Sequence, residues 1–269
     1  MITSSSNQQI KQIRKLRDRK ERQESGLFYI EGLRIVTEAV QQRAQIEALL
    51  YAPELLTSSV GQDVVSLQAS RGTNLLEVSA GVFQALALKD HPQGLAAVVR
   101  QKWLPLGDVR PAAGDLWVAL DAVADPGNLG TILRTADGVG ARGVILLDQC
   151  TDAHDPTAVR ASMGAIFTQN LVRASFAEFR AWKPGSGCAL VGTSDRAEVD
   201  YHAYNYPDPM ILFMGSERQG LQEHHLQLCD SVVSIPMVGR SDSLNLAVAA
   251  SVTLYEIYNH RRDQHDRGY

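Results

Sequence analysis

The chain of 269 residues has little cysteine: Cys150, Cys188 and Cys229 stand about 40 residues apart. That spacing is neither a disulfide framework nor a zinc-ligand pattern, and it suits a reducing compartment. No apolar run approaches the roughly 18 residues that a membrane-spanning helix needs. The first 24 residues are polar and lack the apolar core of a secretory signal, and Asp18, Glu21 and Glu24 disagree with the acid-poor character of a transit peptide. These absences predict a cytoplasmic protein with no membrane association. No His/Cys/Asp cluster has metal-ligand spacing, so no metal is expected. There is no internal repeat and no low-complexity segment. Apolar residues, by contrast, make up 45% of the chain and charged residues 21%, which excludes a disordered protein.

The net charge of -4 is unevenly spread. Residues 1–24 hold seven of the 26 Lys and Arg and three of the 30 acids, leaving 19 basic and 27 acidic residues for the rest. A basic arm on an acidic body fits either a nucleic-acid footprint or a solvated helix face.

Along the chain, residues 7–24 read as a polar helix with Ile10, Ile13 and Leu16 on one stripe. Strands are expected at Phe28–Ile30, Ile46–Tyr51, Leu75–Val78 and Gly94–Arg100, with helical stretches after Gly32 and after Ser79, which caps the second. Val64–Ala69 fits a helix or a strand. These elements make one small α/β domain over residues 25–102, preceded by a basic helix over 1–24. Residues 103–113, with Pro105, Gly107 and Pro111, read as a linker. The second half, 114–262, alternates short apolar strands (Leu116–Leu120, Gly143–Leu147, Cys188–Gly192, Met210–Met214, Val232–Ile235) with helices (Asn128–Val139, Pro156–Ala165, Phe176–Trp182, Leu221–Cys229, Ser243–His260). Uninterrupted apolar strands between helices predict a parallel sheet covered on both faces.

Three segments that follow expected strands do not look like ordinary structure, and α/β sheets place ligands there. In the first, Pro126 and Gly127 make a turn and Asn128 is placed to cap the following helix. Arg134 is six residues on, at 100° each on the far side of that helix, among the apolar Ile132, Leu133 and Ala136. It is either a surface arginine or one held in an interface. In the second, Gly215 lets the backbone approach a ligand or take an unusual φ, and Ser216 and Glu217 follow it. An acid directly after a strand must be paired or hydrogen-bonded to be buried. The segment lacks P-loop spacing, and an acid stands where a phosphate would bind. In the third, a strand ends at Pro236, Ser243 is placed to cap the last helix, and Asn245 stands in its first turn. His224-His225 reads as a solvated pair on a helix.

Taken together, NLGTILRTA (128–136), FMGSERQGL (213–221) and SIPMVGRSDSLNLAVA (234–249) resemble motifs 1, 2 and 3 of the SpoU (TrmH-type) RNA 2′-O-ribose methyltransferases of the SPOUT superfamily, in order and spacing. FYIEGLRIVTEAV (28–40) resembles the start of the L30e-like substrate-binding domain that often precedes that catalytic domain. Departures are small: Leu246-Ala247 stands where Val-Ser is common, and Arg218 where Gly is frequent. The resemblance implies a parallel sheet with a C-terminal trefoil knot, a homodimer, and S-adenosylmethionine gripped by backbone groups. The implied cofactor residues are Gly215, Ile235 and Leu244, with Thr193 added. It implies methyl transfer to a ribose 2′-hydroxyl, of ribosomal RNA more than transfer RNA because of the L30e-like domain. The implied chemical residues are Arg134, Asn128, Glu217, Ser243 and Asn245. The family counterpart of Arg134 has been proposed as the base, yet lowering an arginine from above 12 to about 9 costs on the order of 4–5 kcal/mol. We therefore expect Arg134 to clamp phosphate and oxyanion, oriented with the ribose and the methionine moiety by the other four. Two rivals are a tRNA methyltransferase and a non-catalytic RNA-binding protein that keeps the fold. A dinucleotide-dependent oxidoreductase is excluded, because no GxGxxG follows the first strand of either half.

Overall fold

The computed structural model describes residues 1–88, 90–241 and 243–266; Asp242 of the third motif lies outside them. The chain divides into two compact units, Met1–Lys102 with Asp152–Phe167, and Trp103–Thr151 with Thr168–Tyr269.

The first unit opens with α1 (Gln8–Lys15) and α2 (Arg19–Ser25), followed by β1 (Leu27–Glu31), α3 (Leu33–Gln41), β2 (Ile46–Tyr51), α4 (Ser59–Ser70), β3 (Leu75–Glu77), α5 (Ala80–Leu86) and β4 (Leu95–Arg100). The sheet order is β1-β4-β2-β3, antiparallel except for the β2–β3 pair. Alternation along the strands sends side chains to two cores. Tyr29, Leu50 and Val98 join Ile10 and Ile13 of α1, Leu16 at its C-terminal cap, and Phe83 and Leu86 of α5. Phe28, Ile30, Leu49 and Val99 join Val36 and Val40 of α3 and Val64 of α4. The single helix expected over residues 7–24 is thus two. Asp18 accepts the Lys20 N–H at 2.9 Å and caps the second, and the apolar stripe of the first is core. The undecided stretch at 64–69 is helical.

The second unit begins with residues that the sequence suggests are a linker. Val109 is buried, and the Leu104 N–H donates to Leu171 O at 2.8 Å, so this stretch is packed structure. β5 (Leu116–Asp121), α6 (Pro126–Gly138) and β6 (Gly143–Leu147) follow. The chain then supplies Asp152–Phe167, with α7 (Pro156–Ala161), to the first unit. That segment had been expected inside the 114–262 domain. Next come β7 (Asn170–Ala174), α8 (Phe176–Trp182), β8 (Ala189–Thr193), β9 (Val199–Asp200), β10 (Met210–Met214), α9 (Glu223–Leu226), β11 (Ser231–Ser234) and α10 (Leu246–Asp266). The sheet runs β7-β6-β5-β10-β8-β11-β9, and every pairing is parallel. Strands β7 and β9 were not expected: β7 carries Asn170 and the exposed Arg173, and β9 is two residues long. Consecutive residues of β5, β6 and β10 are all buried, so helices cover both faces.

Candidate active site

The motif loops leave one edge of the second sheet. Parallel strands end on the same side, and β5, β10, β8 and β11 are neighbours: Leu120 pairs with Met214, Phe213 with Gly192, and Thr193 with Val233. The chain moves outward from β5 through β6 to β7, then returns to the other side of β5. This makes the β5–β10 junction a topological switch point, where α/β sheets bind ligands.

At that junction Glu217 organises the first motif. Its carboxylate accepts the backbone N–H of Ala124 at 3.0 Å and of Asp125 at 3.1 Å, and the side-chain amide of Asn128 at 3.1 Å. The Asn128 oxygen in turn accepts the Asn245 amide at 3.1 Å. The Asn245 oxygen accepts the N–H groups of Ala247 at 2.9 Å and Val248 at 3.3 Å, capping α10. One hydrogen-bonded chain therefore ties all three motifs together. Burial alone would raise the Glu217 pKa, but the Ala124 N–H, the Asn128 amide and the Asp125 N–H hold it below the ordinary carboxylate range. An ionised, fully engaged carboxylate is an anchor, not a proton acceptor.

Two expected caps are corrected. Asp125, not Asn128, caps α6: it accepts the Asn128 N–H at 2.7 Å and precedes Pro126 at the first helical position. An Asp-Pro pair is itself a helix-start signal, and it frees the Asn128 side chain for Glu217 and Asn245. Likewise Asn245, not Ser243, caps α10, which begins at Leu246. Ser243 and Leu244 lie in the exposed loop before it.

Arg134 stands apart from this network. It is exposed on α6, and no described residue pairs with it. The expectation that Asn128, Glu217 and Asn245 orient Arg134 directly is therefore not met within one chain; they bind one another. Near it on the helix, the Thr135 hydroxyl lies 2.9 Å from that of Ser251 on α10.

The expected cofactor residues lie on adjoining strand ends. Thr193 closes β8 and Ile235 follows β11, both half-buried, while Gly215 follows β10 and is buried. The glycine is required for a different reason from the one expected. A Cβ there would collide with the backbone of Gly220 and Leu221, because the loop folds back on itself. The Gly220 N–H donates to Ser216 O at 2.9 Å, and Gly220 takes a φ of 61°. Beyond Ile235 the third motif carries apolar side chains into solvent: Met237, Leu244 and the fully exposed Val238.

His225 was expected to be solvated and is buried instead. Its ring packs 4.5 Å from that of Phe176, its Nδ1 accepts the Gln222 N–H at 3.1 Å, and its Nε2 lies 3.7 Å from Asp121 at the end of β5. Burial pushes its pKa down to about 4. Burial, reinforced by Asp148, raises that of Asp121.

Motif loops at the switch point of an all-parallel sheet, in a chain that also carries a second α/β unit, define a two-unit α/β protein with its candidate site at the carboxyl edge of that sheet. The profile of the SpoU rRNA methylase family matches residues 115–255, and that of the MRM3-like substrate-binding domain matches residues 7–97. The chain belongs to the SpoU rRNA methylase family. It is 32% identical to the 23S rRNA (uridine(2479)-2′-O)-methyltransferase of Streptomyces viridochromogenes, over 91% of this chain and 87% of that one. It is 30% identical to the 23S rRNA (guanosine(2553)-2′-O)-methyltransferase RlmP of Bacillus subtilis, over 95% and 98%. The crystal structure of an AdoMet-bound rRNA methyltransferase from Sinorhizobium meliloti superposes with a TM-score of 0.88 at 37% identity, covering 96% of this chain and 97% of that one.

Proposed function

We propose that this protein transfers a methyl group from S-adenosylmethionine to a ribose 2′-hydroxyl of ribosomal RNA. The observation that carries the proposal is the Asn245–Asn128–Glu217 chain, which joins the residues of all three motifs at the edge where a parallel sheet binds its ligand. The names of the relatives supply the substrate class, 23S rRNA, and the reacting position. Ribosomal RNA as substrate also supports a cytoplasmic location.

The residues present fit the cofactor. Thr193, Gly215 and Ile235 offer uncharged backbone at three adjoining strand ends, and the apolar Met237, Val238 and Leu244 are available to cover an adenosine moiety. Glu217, two residues after Gly215, is engaged by the first motif. When bound, the cofactor supplies a methyl group on a sulfonium. The protein's part is alignment and charge. Glu217 fixes the N-terminus of α6, Asn128 and Asn245 fix α10 against it, and together they set where the loop with Ser243 and Leu244 lies. Arg134, lacking a partner among the described residues, is the cation that would hold an RNA phosphate and stabilise the oxyanion as the hydroxyl ionises.

The proposal also includes a homodimer, a trefoil knot and an L30e-like type for the first unit. Val248, Tyr255 and Tyr258 leave an apolar face of α10 exposed, which supports the dimer. The position of β10 between β5 and β8, with β11 beyond, supports the threading.

Calorimetry with S-adenosylmethionine on the full chain tests the proposal. Saturable one-site binding is expected. A folded protein that does not bind it would leave only an RNA-binding role.

A further inference from the structure

One cavity stands away from the motifs. It lies within the first unit, about 440 Å³, beside the end of β1, the start of α3 and the face of α7. Its lining falls into three kinds of chemistry. Ile35, Leu88, Val159 and Met163 give apolar walls. Arg34 and Arg160, both exposed and without a partner among the described residues, supply two cations. Tyr29 and Glu31, each 5% exposed, supply buried polar groups. The Tyr29 hydroxyl has no hydrogen-bond partner, and such groups in native proteins mark places where a partner is missing. The Glu31 carboxylate accepts the Leu88 N–H, and it bars an anion from the interior.

Apolar walls, a buried acceptor and a pair of arginines match one ligand chemistry. A nucleobase fills the space and offers N–H donors to the carboxylate and the phenol. Its phosphate stays outside with the guanidinium groups, which bind phosphate in bidentate fashion or stack on bases. The volume lies within the range of small-ligand pockets. The N-terminus of α3, capped by Gly32 with no side-chain hydrogen bond, adds its positive end at the same place.

We propose that this cavity receives one unstacked nucleotide of the substrate RNA, with guanine favoured because its N1–H and N2 amino donors stand side by side for a carboxylate. The inference rests on the rRNA methyltransferase function above and adds to it a recognition site away from the motifs. It makes the first unit a reader of one extruded base, not merely a charged surface.

The test uses the full chain and single-stranded oligouridine with or without one central guanosine, measured by fluorescence anisotropy. The guanosine oligomer should bind at least ten-fold more tightly. Arg34→Ala/Arg160→Ala should weaken it about ten-fold or more and reduce the salt slope by about 1.4, from two single-strand phosphate contacts. Thr157→Trp, at an exposed position on the cavity lining, should remove the guanosine preference and leave the slope unchanged. In methyl transfer, both variants should raise KM for rRNA without changing kcat or cofactor binding. Equal binding of the two oligomers, or an unchanged KM in both variants, would overturn the inference. Binding of guanosine monophosphate with an unchanged rRNA KM would overturn it too, by assigning the cavity to a free nucleotide. If the wild type methylates no rRNA, the proposed function fails, while the guanosine preference and salt slope still decide the fate of the cavity.

Discussion

Glu217 is an acceptor only, and that fact sets the polarity of everything hydrogen-bonded to it. Asn128 must present its amide to Glu217, so its oxygen faces Asn245. Asn245 must then present its amide, so its own oxygen caps α10. Asn245→Asp separates these roles. Aspartate is an equally good cap, so urea unfolding should give a stability close to wild type, whereas Asn245→Ala should lose about 1 kcal/mol. Methyl transfer should fall at least ten-fold in both, because the carboxylate confronts the Asn128 oxygen. A wild-type rate in Asn245→Asp would show that the chain of amides is not needed. Most of these residues were legible as a motif, but their partners were not. Sequence spacing suggested a cap at Asn128 and gave no sign that residues 89 and 117 positions apart would close on it.

A second prediction at the residue scale concerns His225. Its folded pKa, about 4, lies below the unfolded value of about 6.5. Between those limits the unfolded chain binds the extra proton, so stability falls as pH drops from about 6.5 to about 4. An imidazole titration followed by NMR should place the His225 midpoint near 4. A midpoint near 6.5 would contradict its burial against Phe176 and Phe213. The helical pattern around His224-His225 concealed this, since two adjacent histidines on a helix point in different directions and only one faces the sheet.

At the scale of elements, the loop after β10 is a closed hairpin whose return strand occupies the space above Gly215. Gly215→Ala should force that loop open, because the obstacle is backbone and cannot rotate away. Cofactor affinity measured by calorimetry should drop at least ten-fold while the far-ultraviolet spectrum stays native. Unaltered affinity would mean that the loop does not shape the cofactor site. Element positions were largely legible. Uninterrupted apolar runs identified β5, β6, β8, β10 and β11, while β7 and β9 lacked that signature. The basic arm shows where charge counting misleads. Of its seven cations, Arg22 is buried, and Arg17 donates to the carbonyl oxygens of Leu86 and Ala87 at 2.9 and 3.0 Å. Neither is available to RNA phosphates as a free charge.

At the scale of the whole molecule, the chain interleaves its two units. Residues 152–167 belong with the first unit, and Arg22 holds them there. Its guanidinium reaches Asp152 at 2.7 Å and Asp155 at 3.4 Å, and also donates to the carbonyl oxygens of Leu16 and Arg17. Both Arg22 and Asp152 are almost fully buried, so Arg22→Ala would strand a carboxylate. We expect a loss of about 3–5 kcal/mol in urea unfolding. A loss below 1 kcal/mol would mean that water reaches Asp152 freely. No local pattern in the sequence announces a partnership spanning 130 positions, so the alternation of strands and helices alone puts the excursion with the second unit.

In the proposed mechanism the protein places a methyl group on a ribose oxygen with Arg134 as a charge clamp. The most direct test is single-turnover methylation of 23S rRNA with methyl-labelled cofactor, followed by alkaline hydrolysis, for wild type and Arg134→Lys across pH. The label should appear in alkali-resistant dinucleotides. Arg134→Lys should keep measurable activity with the rising limb of its pH profile unmoved, since lysine retains the cation and loses only the fork. Label released as mononucleotides would contradict ribose methylation. A clear downward shift of the rising limb in the lysine variant would contradict the clamp and make Arg134 the base.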